Sequence, residues 1–153
     1  MTTPHIYVDA DACPVKSEVF RVAARNGLHV TLVTAAWMRT PNDPNIRVEV
    51  VVQGFDAADD WIVHQVQPGD IVITGDIPLA SRSLAKGAAA IGSDGRPFTE
   101  DNIGDAMATR ALLADLRGAG ETIAGPPPFT PRARSQFLQA LEQAVQDSLR
   151  KAR

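Results

Sequence analysis

Cysteine is all but absent from this 153-residue chain. The single thiol, Cys13, has no partner for an internal disulfide, which fits a reducing compartment and makes a cytoplasmic protein the expectation. Long apolar runs are missing as well. None approaches the roughly 18 residues that cross a bilayer, so no membrane partner is expected. The opening MTTPHIYVDADA lacks the basic start and apolar stretch of a secretory leader. His5, His29 and His64 are scattered, and no His/Cys spacing matches a zinc site. There are no internal repeats.

What is present suits one globular domain: hydrophobic residues make up 44% and charged residues 22%. The net charge of −3 is unevenly spread. Residues 1–109 hold 8 basic and 14 acidic side chains. Residues 110–153 hold 7 basic (Arg110, Arg117, Arg132, Arg134, Arg150, Lys151, Arg153) against 4 acidic. An acidic body with a basic tail suits a metal pocket beside a phosphate-contacting arm. A solvated helix with a basic end, favoured by the helix dipole, accounts for the same pattern.

Apolar runs alternate with helix-like stretches, as βαβ units and a parallel sheet require. Strands are expected at His5–Asp9, Leu28–Thr34, Arg47–Val52 and Asp70–Thr74, with a short fifth at Ala88–Ile91. Helices are expected from Pro14 to about Asn26, from Asp56 to about Gln67, and from Pro78 to about Lys86. Trp37 to Asn45, with two prolines, must be a loop, and Ser93 to Pro97 a turn. Thr99 and Asn102 begin a helix to about Arg117, broken by Gly118 and Gly120. A stiff Gly125–Pro128 linker then leads to Thr130-Pro131, which caps a last helix with Phe137, Leu138, Leu141, Val145 and Leu149 on one stripe.

Acidic residues fall where an open α/β sheet builds its sites, outside the carboxyl ends of the strands. Asp9 ends the first strand, Asp11 follows it, and Asp76 comes just after the fourth. The tips of those two strands meet only if the strands are neighbours. On the helix after strand three, Asp59 shares a face with Ile62, Val63 and Val66 and so points toward the sheet. Asp60 lies with His64 on the polar side, and Asp56 sits where a helix cap belongs. Carboxylates gathered in one pocket repel each other unless a cation neutralises them. Oxygen ligands favour Mg²⁺ or Mn²⁺, which activates water and offsets charge on a phosphodiester. Separate capping of helices and turns by each aspartate is the plainer alternative.

The stretch Tyr7-Val-Asp-Ala-Asp-Ala-Cys-Pro-Val-Lys16 resembles the opening motif of the bacterial YaiI/YqxD family, which has a PIN-like fold. Gly54-Phe-Asp-Ala-Ala-Asp59 and Ile73-Thr-Gly-Asp-Ile-Pro-Leu-Ala80 are similar to two further motifs of that family, and Leu116-Arg117, Gly125-Pro126 and Arg134 to Phe137 fit its C-terminal part. The resemblance implies a three-layer α/β/α sandwich with a mainly parallel sheet over residues 1–153, carrying a helical extension at about 100–153. By analogy it implies metal-dependent cleavage of RNA, single-stranded or structured. Asp9 and Asp76 match the acids at the ends of strands one and four, and Asp59 the acid on the intervening helix. Pro78 stands where a second acid after Asp76 is expected, with Asp94 as a substitute from the next loop.

The expected site is therefore Asp9, Asp11, Asp59 and Asp76 as metal ligands and catalytic acids, with Lys16, Ser81 and Arg82 toward substrate. Lys16 also reads as a surface charge. Cys13 reads as a small residue in a tight turn rather than a nucleophile. Trp37 and Trp61 are candidates to stack on bases, Trp37 the better placed of the two. Two rivals share these residues. One is a phosphotransferase of the haloacid-dehalogenase type, with Asp9 as nucleophile, Asp11 as acid and Thr34 at the phosphate. The other is a metal-holding RNA-binding module without turnover.

Overall fold

Parallel strands joined by helices must bury both faces of their sheet, and among the described residues two helices pack on each face. The structure is a computed structural model that describes residues 3–11, 13–51, 57–105, 108 and 130–151. Its elements are β1 (Ile6–Asp9), α1 (Lys16–Asn26), β2 (Val30–Thr34), β3 (Ile46–Val50), α2 (Ala57–Gln65), β4 (Ile71–Ile73), α3 (Ile77–Ala85), β5 (Ala89–Ile91), β6 (Pro97–Phe98) and α4 (Pro131–Lys151). Residues 100–105 are also helical, and Thr99 and Asn102 cap each other's backbone N–H at 2.9 and 3.1 Å. The expected run on to Arg117, the Gly125–Pro128 linker and the cap at Asp56 lie outside the described residues. No helix among the described residues is long and apolar enough to cross a membrane.

The sheet runs in the order β3-β2-β1-β4-β5-β6, parallel throughout except for the antiparallel β5–β6 pair. The sixth strand was not expected: two residues, one of them proline, carry no alternation to read. It is formed by the turn at Gly92–Gly95, where Gly92 N donates to Arg96 O at 3.0 Å. Gly95 has φ +84°, and a Cβ there would lie 2.8 Å from the backbone of Gln136. Only glycine lets this turn seat against α4.

Strand alternation sorts the core into two halves. Ile6, Val8, Leu32, Ile71 and Ile73 face α1 and α4, meeting Val19, Phe137, Leu141 and Val145. Tyr7, Val33 and Val72 face the other way, onto Ile62 and Val66 of the α2 region and Leu79 of α3. The expected stripe on the last helix is correct, with Leu138 and Leu149 at its margin. That helix is part of the core. It is tied to α1 by Arg25–Glu142 at 3.0 Å and Arg134–Glu18 at 2.7 Å, and Arg150 pairs with Asp147. Of the tail's basic residues, Arg134 thus holds α4 to α1, while Arg150 pairs within its own helix on the surface.

Candidate functional site

The chain builds β1, β2 and β3 in one direction, then returns to lay β4 and β5 on the other side of β1. The crevice between β1 and β4 is therefore the topological switch point, where sheets of this type leave room for a ligand. A cavity of about 230 Å³ opens there. Asp9, Asp11 and Asp76 line it, together with Cys13, Thr74 and Ser93. The neighbour relation that the sequence required of strands one and four is met.

Each acid is held by its own local chemistry. Asp9 and Thr74 continue the side-chain rows of Tyr7 and Val72, and the Thr74 hydroxyl donates to Asp9 Oδ2 at 2.9 Å. The same hydroxyl accepts from the Asp76 backbone N–H at 2.9 Å. Asp76 caps α3, its Oδ1 accepting from Leu79 N at 3.0 Å. Pro78 in the first turn gives up no needed donor there. Asp11 leans the other way: Oδ1 accepts from Thr34 Oγ1 at 2.7 Å and Oδ2 from Ala35 N at 3.0 Å.

Burial pushes the Asp9 pKa up, the hydrogen bond from Thr74 opposes that shift, and the negative charges of Asp76 and Asp11 add to it. Burial also pushes the Cys13 thiol up, against a backbone hydrogen bond and the Lys16 charge. Cys13 is thus held as a neutral wall residue.

The other expected residues lie apart from this cavity. Asp59 is buried on the inner side of α2, as its spacing implied, but it is not among the cavity-lining residues. Asp60 is exposed and pairs with Arg82 at 2.8 Å. Lys16 Nζ donates to the carbonyls of Cys13 at 3.0 Å and Ala10 at 3.4 Å, closing the β1–α1 loop. Ser81 is half-buried on α3. Asp94 accepts from Arg96 N at 2.9 Å and belongs to its turn. Among the described residues, no three His, Cys, Asp or Glu side chains are close enough to hold one ion together. Thr74 and Ser93 also line the cavity, where neither was expected. The Thr-Gly-Asp run after an apolar strand was the available signal for Thr74; nothing local marked Ser93.

The model of an uncharacterised bacterial family, YaiI/YqxD, matches residues 7–147. A UPF0178 protein of Rhodopseudomonas palustris (strain TIE-1) is 56% identical over 140 residues, covering 92% of this chain and 89% of that protein. A UPF0178 protein of Paramagnetospirillum magneticum is 54% identical over 145 residues, with 95% and 96% covered. One from Bradyrhizobium diazoefficiens is 52% identical over 144 residues, with 94% and 86% covered. No solved structure matches the chain. A match over nearly the whole length, together with relatives of this identity, means that the chain belongs to the YaiI/YqxD family.

Proposed function

We propose that this chain is a metal-dependent nuclease acting on RNA in the cytoplasm, with Mg²⁺ or Mn²⁺ held by Asp9 and Asp76. One observation carries the reading: both carboxylates line a single cavity at the switch point, close enough for Asp76 to raise the proton affinity of Asp9. A cation between them would relieve that repulsion.

The donor set fits a hard ion. Among the described residues Asp9 Oδ1 and Asp76 Oδ2 carry no hydrogen bond, so each acid has an oxygen to offer. Mg²⁺ is commonly bound by one or two carboxylates, with waters and phosphate oxygens completing its shell, so a third protein ligand is not required. Such an ion, when bound, lowers the pKa of water and offsets charge on a phosphodiester.

The chain's own residues do the rest. Thr74 fixes one oxygen of Asp9 and leaves the other toward the cavity. The Asp76 cap fixes the second acid in the same way. Asp11 adds negative potential from the β2 side, and Ser93 offers a hydroxyl to a phosphate oxygen. The phosphotransferase reading is weaker, because the Thr34 hydroxyl it needs lies against Asp11 and the Ala36 carbonyl.

The test is incubation of single-stranded RNA with Mn²⁺ and either wild type or Asp9→Asn. Cleavage by wild type that disappears with EDTA and in the variant supports the proposal. Tight Mn²⁺ binding without cleavage of any RNA would reject nuclease activity in favour of a module without turnover.

A further inference from the structure

Trp37 is the one large hydrophobic side chain among the described residues that stands in water, 72% exposed. Its neighbours are anchored. Ala35 N holds Asp11 of the cavity at 3.0 Å, and Ala36 N donates to Thr34 Oγ1 at 3.2 Å. On the other side Met38 packs against the core. Two residues of chain reach at most about 7 Å, so the Trp37 backbone lies within that distance of Ala35 and within about 10 Å of the Asp11 carboxylate that lines the cavity. Arg39 is exposed two residues further on and makes no ion pair among the described residues.

An exposed indole near a carboxylate-lined cavity that suits a phosphate-bridging cation, with an exposed arginine two residues on, matches one chemistry well: a flat base next to a phosphate. We propose that Trp37 is the stacking platform for an unpaired base of the RNA strand, with Arg39 meeting the adjoining phosphate. The inference rests on the nuclease reading and deepens it, because the bases of a duplex are already stacked on each other and offer no free face. Trp37 thereby selects single-stranded substrate.

The test is binding of a labelled single-stranded hexa-adenylate in EDTA, where no cleavage occurs, followed by fluorescence anisotropy. Trp37→Ala is expected to weaken binding roughly 5- to 150-fold, the usual worth of one base–aromatic stack, and Trp37→Phe to recover most of it. In Trp61→Phe, which leaves Trp37 as the only indole, the oligonucleotide should quench emission and a duplex of equal length should not.

Unchanged affinity in Trp37→Ala overturns the proposal, and so does equal quenching by duplex. Loss of self-association in Trp37→Ala, with no response to oligonucleotide, overturns it in favour of a protein contact. Mn²⁺ titration of the wild type beside the quenching assay separates the two readings. Quenching that persists while wild type shows no Mn²⁺ binding sinks the metal reading alone, and Mn²⁺ binding without quenching sinks this one alone.

Discussion

Replacing Thr74 by valine keeps the shape of the side chain and removes one hydroxyl. Thr74 is 3% exposed, and that hydroxyl serves two partners at 2.9 Å: it donates to Asp9 Oδ2 and accepts from Asp76 N. A hydrogen bond to a charged group contributes about 1.5–3 kcal/mol, and an orphaned buried N–H costs about 1–3 kcal/mol. Asp9 and Asp76 both border the cavity and are only half-buried, so water recovers part of each loss. The net destabilisation expected is about 2–3 kcal/mol. For a chain of this size that corresponds to a fall in Tm of roughly 4–12 °C. Thermal unfolding followed by circular dichroism, without metal, measures it against Thr74→Ser, which retains both bonds and should melt close to wild type. The substitution also removes the bond that opposes the rise in the Asp9 pKa. Mn²⁺ affinity should therefore drop more in mild acid than at alkaline pH. A valine variant that melts within about 1 °C of wild type would refute the hydrogen-bond account of the site.

Phe137 is fully buried where α4 meets the sheet, so Phe137→Ala is expected to lose about 3–5 kcal/mol in urea unfolding. A loss below about 1 kcal/mol would mean that α4 packs only loosely. Asp9 also gives a pH signature. Because its folded pKa lies above the ordinary 3.8, the native state holds the proton more tightly than the unfolded chain does. That contribution is complete below the unfolded value and is lost as pH rises through the folded one. Metal-free Asp9→Asn should accordingly be more stable than wild type near neutral pH, with the gap closing in acid. A gap that stays constant with pH in parallel urea titrations would show that Asp9 is not the titrating group.

Periodicity made individual faces legible. The spacing of Asp59, Ile62 and Val66 separated an inward acid from the outward Asp60, and burial agrees. Strand ends placed Asp9 and Asp76 at the same edge of the sheet, but adjacency could only be stated as a condition. Local sequence carries no record of which strands pair, and that depends on the route of the chain across the sheet. Partners of long charged side chains were equally hidden. Lys16 closes its own loop and Arg82 meets Asp60, arrangements set by tertiary contacts rather than spacing. Thr74 escaped notice because threonine at the end of an apolar strand reads as ordinary β-propensity. Its role depends on two partners, Asp9 and the backbone of Asp76, that only the folded sheet brings together.

Calorimetric titration of Mn²⁺ into metal-free protein addresses the central claim most directly. Wild type and Asp60→Asn should bind with similar affinity, while Asp9→Asn and Asp76→Asn should each lose binding. Equal affinity in all four proteins would contradict a cation held between the β1 and β4 acids.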